Sequence, residues 1–330
     1  MPHEQYRRRM SAGHDWALIL AGGEGSRLQS LTTTPAGIAI PKQFCSFGCE
    51  ASLLHDALRR AQTVTAAAHT CAVVSEHHRS WWQAMDLRIP NSNIIRQPFN
   101  RGTAIGILLP LLHILHRDPD AGLLVLPSDH FVRDEAVLAQ SLRAAMDQTR
   151  ERPEQIVMLG ISPEEADPEL GYIVSDSEDT DELRSVSEFV EKPTAALAHA
   201  LIARGGVWNS FIFAVHGKTL LRAFEQHCAD LVAQMWAIVS APDFLTHPAD
   251  LTALYERAPT LDFSRDILQR SPELLRVLTV PPCGWSDLGT PRRVSEALHR
   301  FPPRQARSRN AGHAAFLDLT QHQSVRYASG

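Results

Sequence analysis

Residues 18–31 read LILAGGEGSRLQSL. The apolar run Ala17 to Ala21 is a short buried strand, and it stops at Gly22, Gly23 and Gly25, with Arg27 just beyond. Glycines permit positive φ and let the backbone approach a bound group closely. Successive amides in such a turn make a nest for an anion, and the planar fork of Arg27 suits phosphate oxygens. A plain strand-to-helix turn satisfies the same pattern, so this stretch alone leaves both readings open. Gly23 and Gly25 supply two glycines of a dinucleotide fingerprint, but Leu28 stands where the third belongs. No Gly-Lys-Ser/Thr follows, which excludes a P-loop.

Outward from this stretch the chain alternates. Strands are expected at 17–20, 70–74, 93–96, 122–126 and 155–160, with helices at 52–64, 76–85, 103–116 and 135–149. Alternation implies an α/β fold whose mostly parallel central sheet carries helices on both faces. The helix at 103–116 is apolar almost all round, so it should be deeply buried, and Pro110 within it predicts a kink or break. After about residue 161 the pattern changes. A strand pair is expected at 171–175 and 183–190, bridged by the acidic loop 176–182. A helix at 195–203, a strand at 207–215, helices at 219–229 and 231–239, and a strand at 274–280 follow. The chain is expected to divide into an N-terminal tail, 1–14, one main domain, 15–300, and a Pro- and Arg-rich linker and tail, 301–330.

Composition narrows the function classes. The 330 residues are 44% hydrophobic and 21% charged, as in an ordinary globular protein, and the net charge of −5 gives no general attraction to nucleic acid or to an anionic membrane. No apolar stretch is long enough to span a bilayer, and the polar N-terminus lacks a signal-peptide apolar region. Five scattered cysteines, Cys45, Cys49, Cys71, Cys228 and Cys283, argue against a disulfide framework and fit a reducing cytoplasm.

Ligands of an open parallel sheet bind beyond the C-terminal ends of its strands. Four segments there carry chemistry: Gly22 to Arg27, PSDH at 127–130, FVEKP at 189–193 and GWSDLG at 284–289. With them, in order, come PKQF at 41–44, QPFNRGTA at 97–104, LGYI at 170–173, VWNSFIF at 207–213 and LDFSRDIL at 261–268. Together these blocks cover roughly residues 15 to 290, and ordered blocks are far more specific than any one motif. The chain resembles the nucleotidyltransferases that make sugar nucleotides, the mannose-1-phosphate guanylyltransferases above all. The resemblance implies a Rossmann-like nucleotidyltransferase fold, a nucleoside triphosphate (GTP favoured) and a sugar-1-phosphate (mannose-1-phosphate favoured) as substrates, and Mg²⁺, with Mn²⁺ as a substitute. Nucleic acid and membrane are not expected partners; a homodimer is the assembly considered.

Roles follow by matching each block. Arg27, Lys42 and Asp129 are the catalytic candidates, with Arg27 and Lys42 expected to reach into an open cleft. Leu20, Ala21, Gly22, Gly23, Gly25, Ser26, Gln97, Gly102, Thr103 and Ser128 are assigned to the nucleotide. Gly171, Tyr172, Glu191, Lys192, Asn209 and Phe211 are assigned to the sugar phosphate. Asp129 and Asp287 are assigned to the metal. His130 is the histidine expected near the site. Two positions depart from the family's pattern: Gly102 stands where Asn is usual, and Phe211 where Gly is usual. Strand alternation puts Asn209, Phe211 and Phe213 on one side; Phe211 then either narrows the sugar pocket or packs into the core. LDFSRDIL is given no catalytic role. Two rival readings remain: a catalytically silent nucleotide-sugar regulator on the same fold, and a dinucleotide oxidoreductase, which Leu28 disfavours.

Overall fold

The structure is a computed structural model that describes residues 12–47, 51–176, 182–242, 244 and 249–300. Most of the expected N-terminal tail, all of 301–330 and most of the acidic loop 176–182 lie outside these residues. Nine strands form one sheet in the order β3-β2-β1-β4-β8-β5-β9-β7-β6, and β6 also pairs with β8. The strands are β1 Asp15–Ala21, β2 Thr70–Ser75, β3 Ile94–Gln97, β4 Gly122–Pro127, β5 Ile156–Ile161, β6 Tyr172–Ser175, β7 Leu183–Val190, β8 Val207–His216 and β9 Leu275–Val280.

The first four strands are parallel, as expected from the alternation. Beyond them the sheet is mixed. β8 inserts antiparallel between β4 and β5, and β7 runs antiparallel to both β9 and β6. The expectation of a mostly parallel sheet therefore holds for strand direction but not for pairing, because β7 and β8 run against the other seven and interrupt the parallel ladder.

Alternate side chains of most strands feed two large cores, and a smaller third lies at β6 around Tyr172 and Val174. On one face Leu18, Val73, Val125, Met158 and Phe213 meet helices α2 (Thr103–Arg117) and α5 (Gly217–Val239). On the other, Ile19, Val74, Leu126, Leu159 and Ile212 meet α1 (Leu53–Ala61), α3 (Glu135–Glu151) and α7 (Pro291–Arg300). Helices α4 (Ala195–Ala203) and α6 (Ala249–Arg257) are the remaining helices of nine or more residues among the described residues, and the helix expected at 76–85 is instead a 3-10 turn, Glu76–His78, followed by one helical turn, Arg79–Trp82. α2 is buried along most of its length and continues through Pro110 without a break; its packing on all sides outweighs one lost hydrogen bond. α5 joins the two helices expected at 219–229 and 231–239, with a kink at Cys228 (φ −153°, ψ 50°), just inside the end of the first.

In β8 the register moves from Phe213↔Met158 to Asn209↔Gly160. Four steps of β8 thus face two of β5, and the bulge sits at the middle of β8. Phe211 takes φ 58° there, a conformation that costs an ordinary side chain roughly 1–2 kcal/mol. An even insertion preserves the alternation, so Phe211 still shares the face of Phe213.

Candidate functional site

A cavity of about 320 Å³ opens at the C-terminal ends of β1, β3 and β4. Its first wall is the glycine loop. Gly25 has φ 62°, and a Cβ there would lie 2.9 Å from the Lys42 amide nitrogen. Only glycine lets this loop rest on the 41–44 segment. Buried Gln43 braces it from beneath, donating from Nε2 to the carbonyls of Ala21 (3.1 Å) and Gly23 (2.9 Å). Gln97 leans on Gly22, donating to its carbonyl at 3.4 Å, and the buried Gln97 Oε1 has no hydrogen-bond partner among the described residues. Gly102 (φ 88°) caps α2, where any Cβ would collide with the Leu261 carbonyl oxygen. That carbonyl accepts from Ala104 N at 3.1 Å, and Thr103 Oγ1 accepts from Phe263 N at 2.8 Å. The 261–264 segment is therefore stitched to the 100–104 loop, and Asp262 and Ser264 join the cavity wall.

The charged centre lies where two loops meet. The Phe131 and Ser286 backbones bond each other at 2.9 Å in both directions, bringing Asp129 and Asp287 together. Lys42 Nζ donates to Asp129 Oδ2 at 3.0 Å and to the Asp287 carbonyl. Burial acts to raise the Asp129 carboxyl, but the Lys42 ammonium beside it, joined by His130, overcomes that and holds it below its ordinary value. The Asp287 carboxylate accepts from Arg293 of α7. His130 stands edge-on to Trp285 and its Nδ1 accepts from the indole N–H at 3.2 Å. Burial, only partly opposed by Asp129, pushes its imidazole down to about 4, so the ring is neutral at pH 7. Among the described residues no three His, Cys, Asp or Glu side chains converge as a metal cage. Two carboxylates beside a phosphate-sized space nevertheless fit a hard cation that takes its remaining ligands from phosphate and water.

The opposite wall comes from β6, β7 and β8. Gly171 is tight: a Cβ would meet the Glu191 carboxylate at 2.6 Å and Asn209 Cβ at 3.3 Å. Asn209 Oδ1 accepts from Phe211 N at 2.9 Å and so holds the bulge. The Phe211 ring lines the cavity and also packs edge-on against Phe263, centroids 6.1 Å apart. The ring thus stands at the border between cavity and core. Burial and the nearby Asp262 carboxylate raise Glu191 to about 7, against the pull of Lys192. Four non-glycine residues have positive φ among the described residues, and three of them border this site: Lys192 (49°), Phe211 and Leu288 (46°). Backbone strain of this kind concentrates at functional sites.

The cavity brings together most of the expected residues. Leu20, Gly22, Gly23, Gly25, Arg27, Gln97, Gly102, Thr103, Ser128, Asp129 and Asp287 line it, as do Gly171, Glu191, Lys192, Asn209 and Phe211. Four are placed otherwise. Ala21 packs into the core, and Ser26 is exposed outside the lining. Tyr172 is fully buried, with its hydroxyl between the Asp167 backbone and the Trp208 indole. Lys42 is not in an open cleft: it is 5% exposed and sits behind the two aspartates. Arg27 does stay exposed and pairs with Glu169 at 2.9 Å across the cavity mouth. The sequence reading missed Gln43, Glu169, Asp262, Ser264 and Trp285. Gln43 lies in the PKQF block, Asp262 and Ser264 in LDFSRDIL and Trp285 in GWSDLG, so block membership is the available signal for these four.

The sequence pattern of the nucleotidyl transferase family matches residues 16–301. Mannose-1-phosphate guanylyltransferase of Sinorhizobium fredii is 29% identical over 280 residues, covering 82% of this chain and 52% of that protein. The protein of the same name from Salmonella muenchen is 31% identical over 295 residues, covering 87% and 60%. The chain thus spans little more than half the length of these relatives. The crystal structure of mannose-1-phosphate geranyltransferase from Thermus thermophilus matches with a TM-score of 0.71 at 25% identity, over 86% of this chain and 79% of that one. No helix among the described residues is long and apolar enough to cross a membrane.

Proposed function

The chain belongs to the nucleotidyl transferase family, and from that premise we propose that it transfers a nucleoside monophosphate from a nucleoside triphosphate to a sugar-1-phosphate, releasing pyrophosphate. GTP and mannose-1-phosphate are the favoured pair, and GDP-mannose the favoured product. The observation that carries this reading is the shared cavity. A glycine loop with Arg27 and a Lys42–Asp129–Asp287 centre form one wall, and polar groups suited to a sugar phosphate, Glu191, Lys192 and Asn209, form the other.

The chemistry matches this inventory. A sugar phosphate is largely ionised at neutral pH, because its second pKa is about 6. It attacks the α-phosphorus without a general base, and the neutral His130 need supply none. The demand is to bring two anions into line and to hold the charge that develops on the leaving pyrophosphate. Arg27 and the amides of residues 22–26 cradle the triphosphate. Lys42 keeps Asp129 ionised and fixes Asp287 through its carbonyl. Asp129 and Asp287 would hold Mg²⁺, which when bound neutralises phosphate charge. Lys192 and Asn209 take the sugar phosphate, and Glu191 the sugar hydroxyls. Gln97, with an unpaired buried acceptor, faces the base.

The test is pyrophosphate release from ATP, GTP, CTP, UTP and dTTP, each paired with several sugar-1-phosphates. Highest turnover with GTP and mannose-1-phosphate is expected. Preference for UTP or dTTP would move the protein to a uridylyl- or thymidylyltransferase branch. Silence with every pair, despite tight nucleotide-sugar binding, would make it a regulator.

A further inference from the structure

Arg293 lies six residues after Asp287, in α7, and is 7% exposed. One arm of its guanidinium donates to the Asp287 carboxylate and the other to the Asp167 carboxylate. These two acids serve different parts of the cavity: Asp287 lines it, whereas Asp167 is buried behind the loop that supplies Glu169 and Gly171 to its lining. Asp287 stands beside Asp129 at the charged centre. Asp167 opens the loop that forms the sugar wall: its Oδ1 accepts from Glu169 N at 2.7 Å, and its backbone N–H and carbonyl both bond the Tyr172 hydroxyl. The same loop carries Glu169, which meets Arg27, and Gly171, whose carbonyl accepts from Asn209 N at 2.8 Å.

Asp287 is set in place with unusual care. Leu288 takes a positive φ just after it, and Gly289 leaves the space its carboxylate fills. Thr290 Oγ1 then accepts from Arg293 N at 3.3 Å, anchoring the turn that delivers the guanidinium. A buried arginine fork between two carboxylates fixes both in angle as well as in distance.

We propose that Arg293 is a positioning residue that sets the Asp287 carboxylate for a divalent cation and, through Asp167, keeps the sugar-phosphate wall in register with it. The inference rests on the nucleotidyltransferase reading above. Lysine keeps the charge but reaches only one carboxylate at a time. Loss of a group that orients a metal ligand typically costs about 10–100-fold in metal affinity or activity.

Three proteins test this: the wild type, Arg293→Lys and Asp167→Asn. Each is titrated with Mn²⁺ in the presence of GTP, with bound metal followed by electron paramagnetic resonance, and Michaelis constants and melting temperatures are measured alongside. Arg293→Lys should weaken Mn²⁺ binding about tenfold or more and raise the sugar-1-phosphate constant. Asp167→Asn, which leaves the Asp287 contact intact, should raise the sugar-1-phosphate constant with Mn²⁺ binding close to wild type. Mn²⁺ affinity and sugar constant both unchanged in Arg293→Lys, with only a lower melting temperature, would make Arg293 a structural residue and overturn the proposal. Equal loss of Mn²⁺ binding in both variants would overturn the division between its two arms. Wild-type protein that releases no pyrophosphate would instead count against the function itself.

Discussion

The two walls of the cavity are built on different principles. The nucleotide wall stands on parallel strands buried on both faces. Its close approaches use glycine at Gly22, Gly25 and Gly102, and its buried lysine is matched to a carboxylate and a carbonyl. The sugar wall stands on antiparallel strands and a bulge. Phe211 and Lys192 hold positive φ there without being glycine, and Glu191 and Asp262 face each other as like charges. The first wall concentrates its single strained non-glycine residue, Leu288, beside Asp287; the other carries two, and like charges besides. Phosphate is common to every nucleotide substrate, whereas sugars differ by the orientation of single hydroxyls. Under the proposed function, the greater strain lies on the wall that would tell sugars apart, in keeping with the clustering of strain at functional sites.

The contrast breaks first if the charged centre is dispensable. Asp129→Asn and Asp287→Asn should each lower turnover by about 10³-fold, because the cation they would hold would supply several kcal/mol of charge stabilisation at 1.36 kcal/mol per decade. A chelator should abolish pyrophosphate release in the wild type. Full activity in chelator, or near-normal rates in both variants, would remove the metal from this wall.

Lys42 and Arg27 sharpen the comparison within the nucleotide wall, because one is buried and the other exposed. Each should cost about 10²–10³ in turnover when cut to alanine, as for other groups that hold transition-state charge. Their stability effects should differ. Lys42→Ala leaves Asp129 without its cation and should cost roughly 2–3 kcal/mol, less than a fully buried pair because Asp129 stays partly open to the cavity. Arg27→Ala breaks only an exposed pair with Glu169 and should change stability by no more than about 0.5 kcal/mol. Chemical denaturation of the two variants separates these cases. Equal losses would mean that the burial of Lys42 has no consequence.

These differences mark what the sequence could carry. The parallel β1–β4 unit and the loops at its strand ends were readable, because each rests on a contiguous apolar run followed by its own turn residues. The insertion of β8 between β4 and β5 was not, since pairing direction depends on contacts far apart in the chain and leaves no local trace. The same holds for Lys42, whose burial depends on loops 87 and 245 residues away. Asp262 was given no role from the sequence; in the structure it caps a short helix, its Oδ1 accepting from Arg265 N at 3.0 Å. Its place opposite Glu191 comes from the Leu261 contacts with the 100–104 loop.

Glu191 tests the repulsion on the sugar wall by pH. Its carboxyl titrates at about 7 in the folded chain, against an ordinary value of 4.5. A raised folded value means the native state holds the proton more tightly. The resulting stabilisation is complete below about pH 4.5 and is lost as pH rises through 7. Glu191→Gln removes this dependence, so the variant should gain on the wild type between pH 5 and 8, by roughly 1–2 kcal/mol given the solvent that reaches the wall. The wild-type Michaelis constant for sugar-1-phosphate should fall over the same range as Glu191 becomes a pure acceptor. The variant retains only the dependence that comes from the substrate's own phosphate. Parallel stability profiles for the two proteins would show that Asp262 and burial do not perturb Glu191.

Phe211 gives the smallest effect and the sharpest sign. Truncating a buried phenylalanine usually costs about 3–5 kcal/mol, but this ring is only partly buried and its backbone is held at φ 58°. Glycine relieves that backbone cost while alanine keeps it. Phe211→Gly should therefore lose no more than about 2 kcal/mol, and it should be more stable than Phe211→Ala by about 1 kcal/mol. In an ordinary strand position the order is the reverse, because glycine has more conformational freedom to lose. Without the ring beside Asn209, the glycine variant should accept a wider range of sugar-1-phosphates. Its Michaelis constant for the sugar phosphate should shift more than that for the triphosphate. If alanine proves the more stable replacement, the bulge carries no strain at Phe211. If the sugar constant stays fixed while stability falls by the full buried-ring amount, the ring serves the core alone, and the sugar wall owes its selectivity to Glu191 and Asn209 instead.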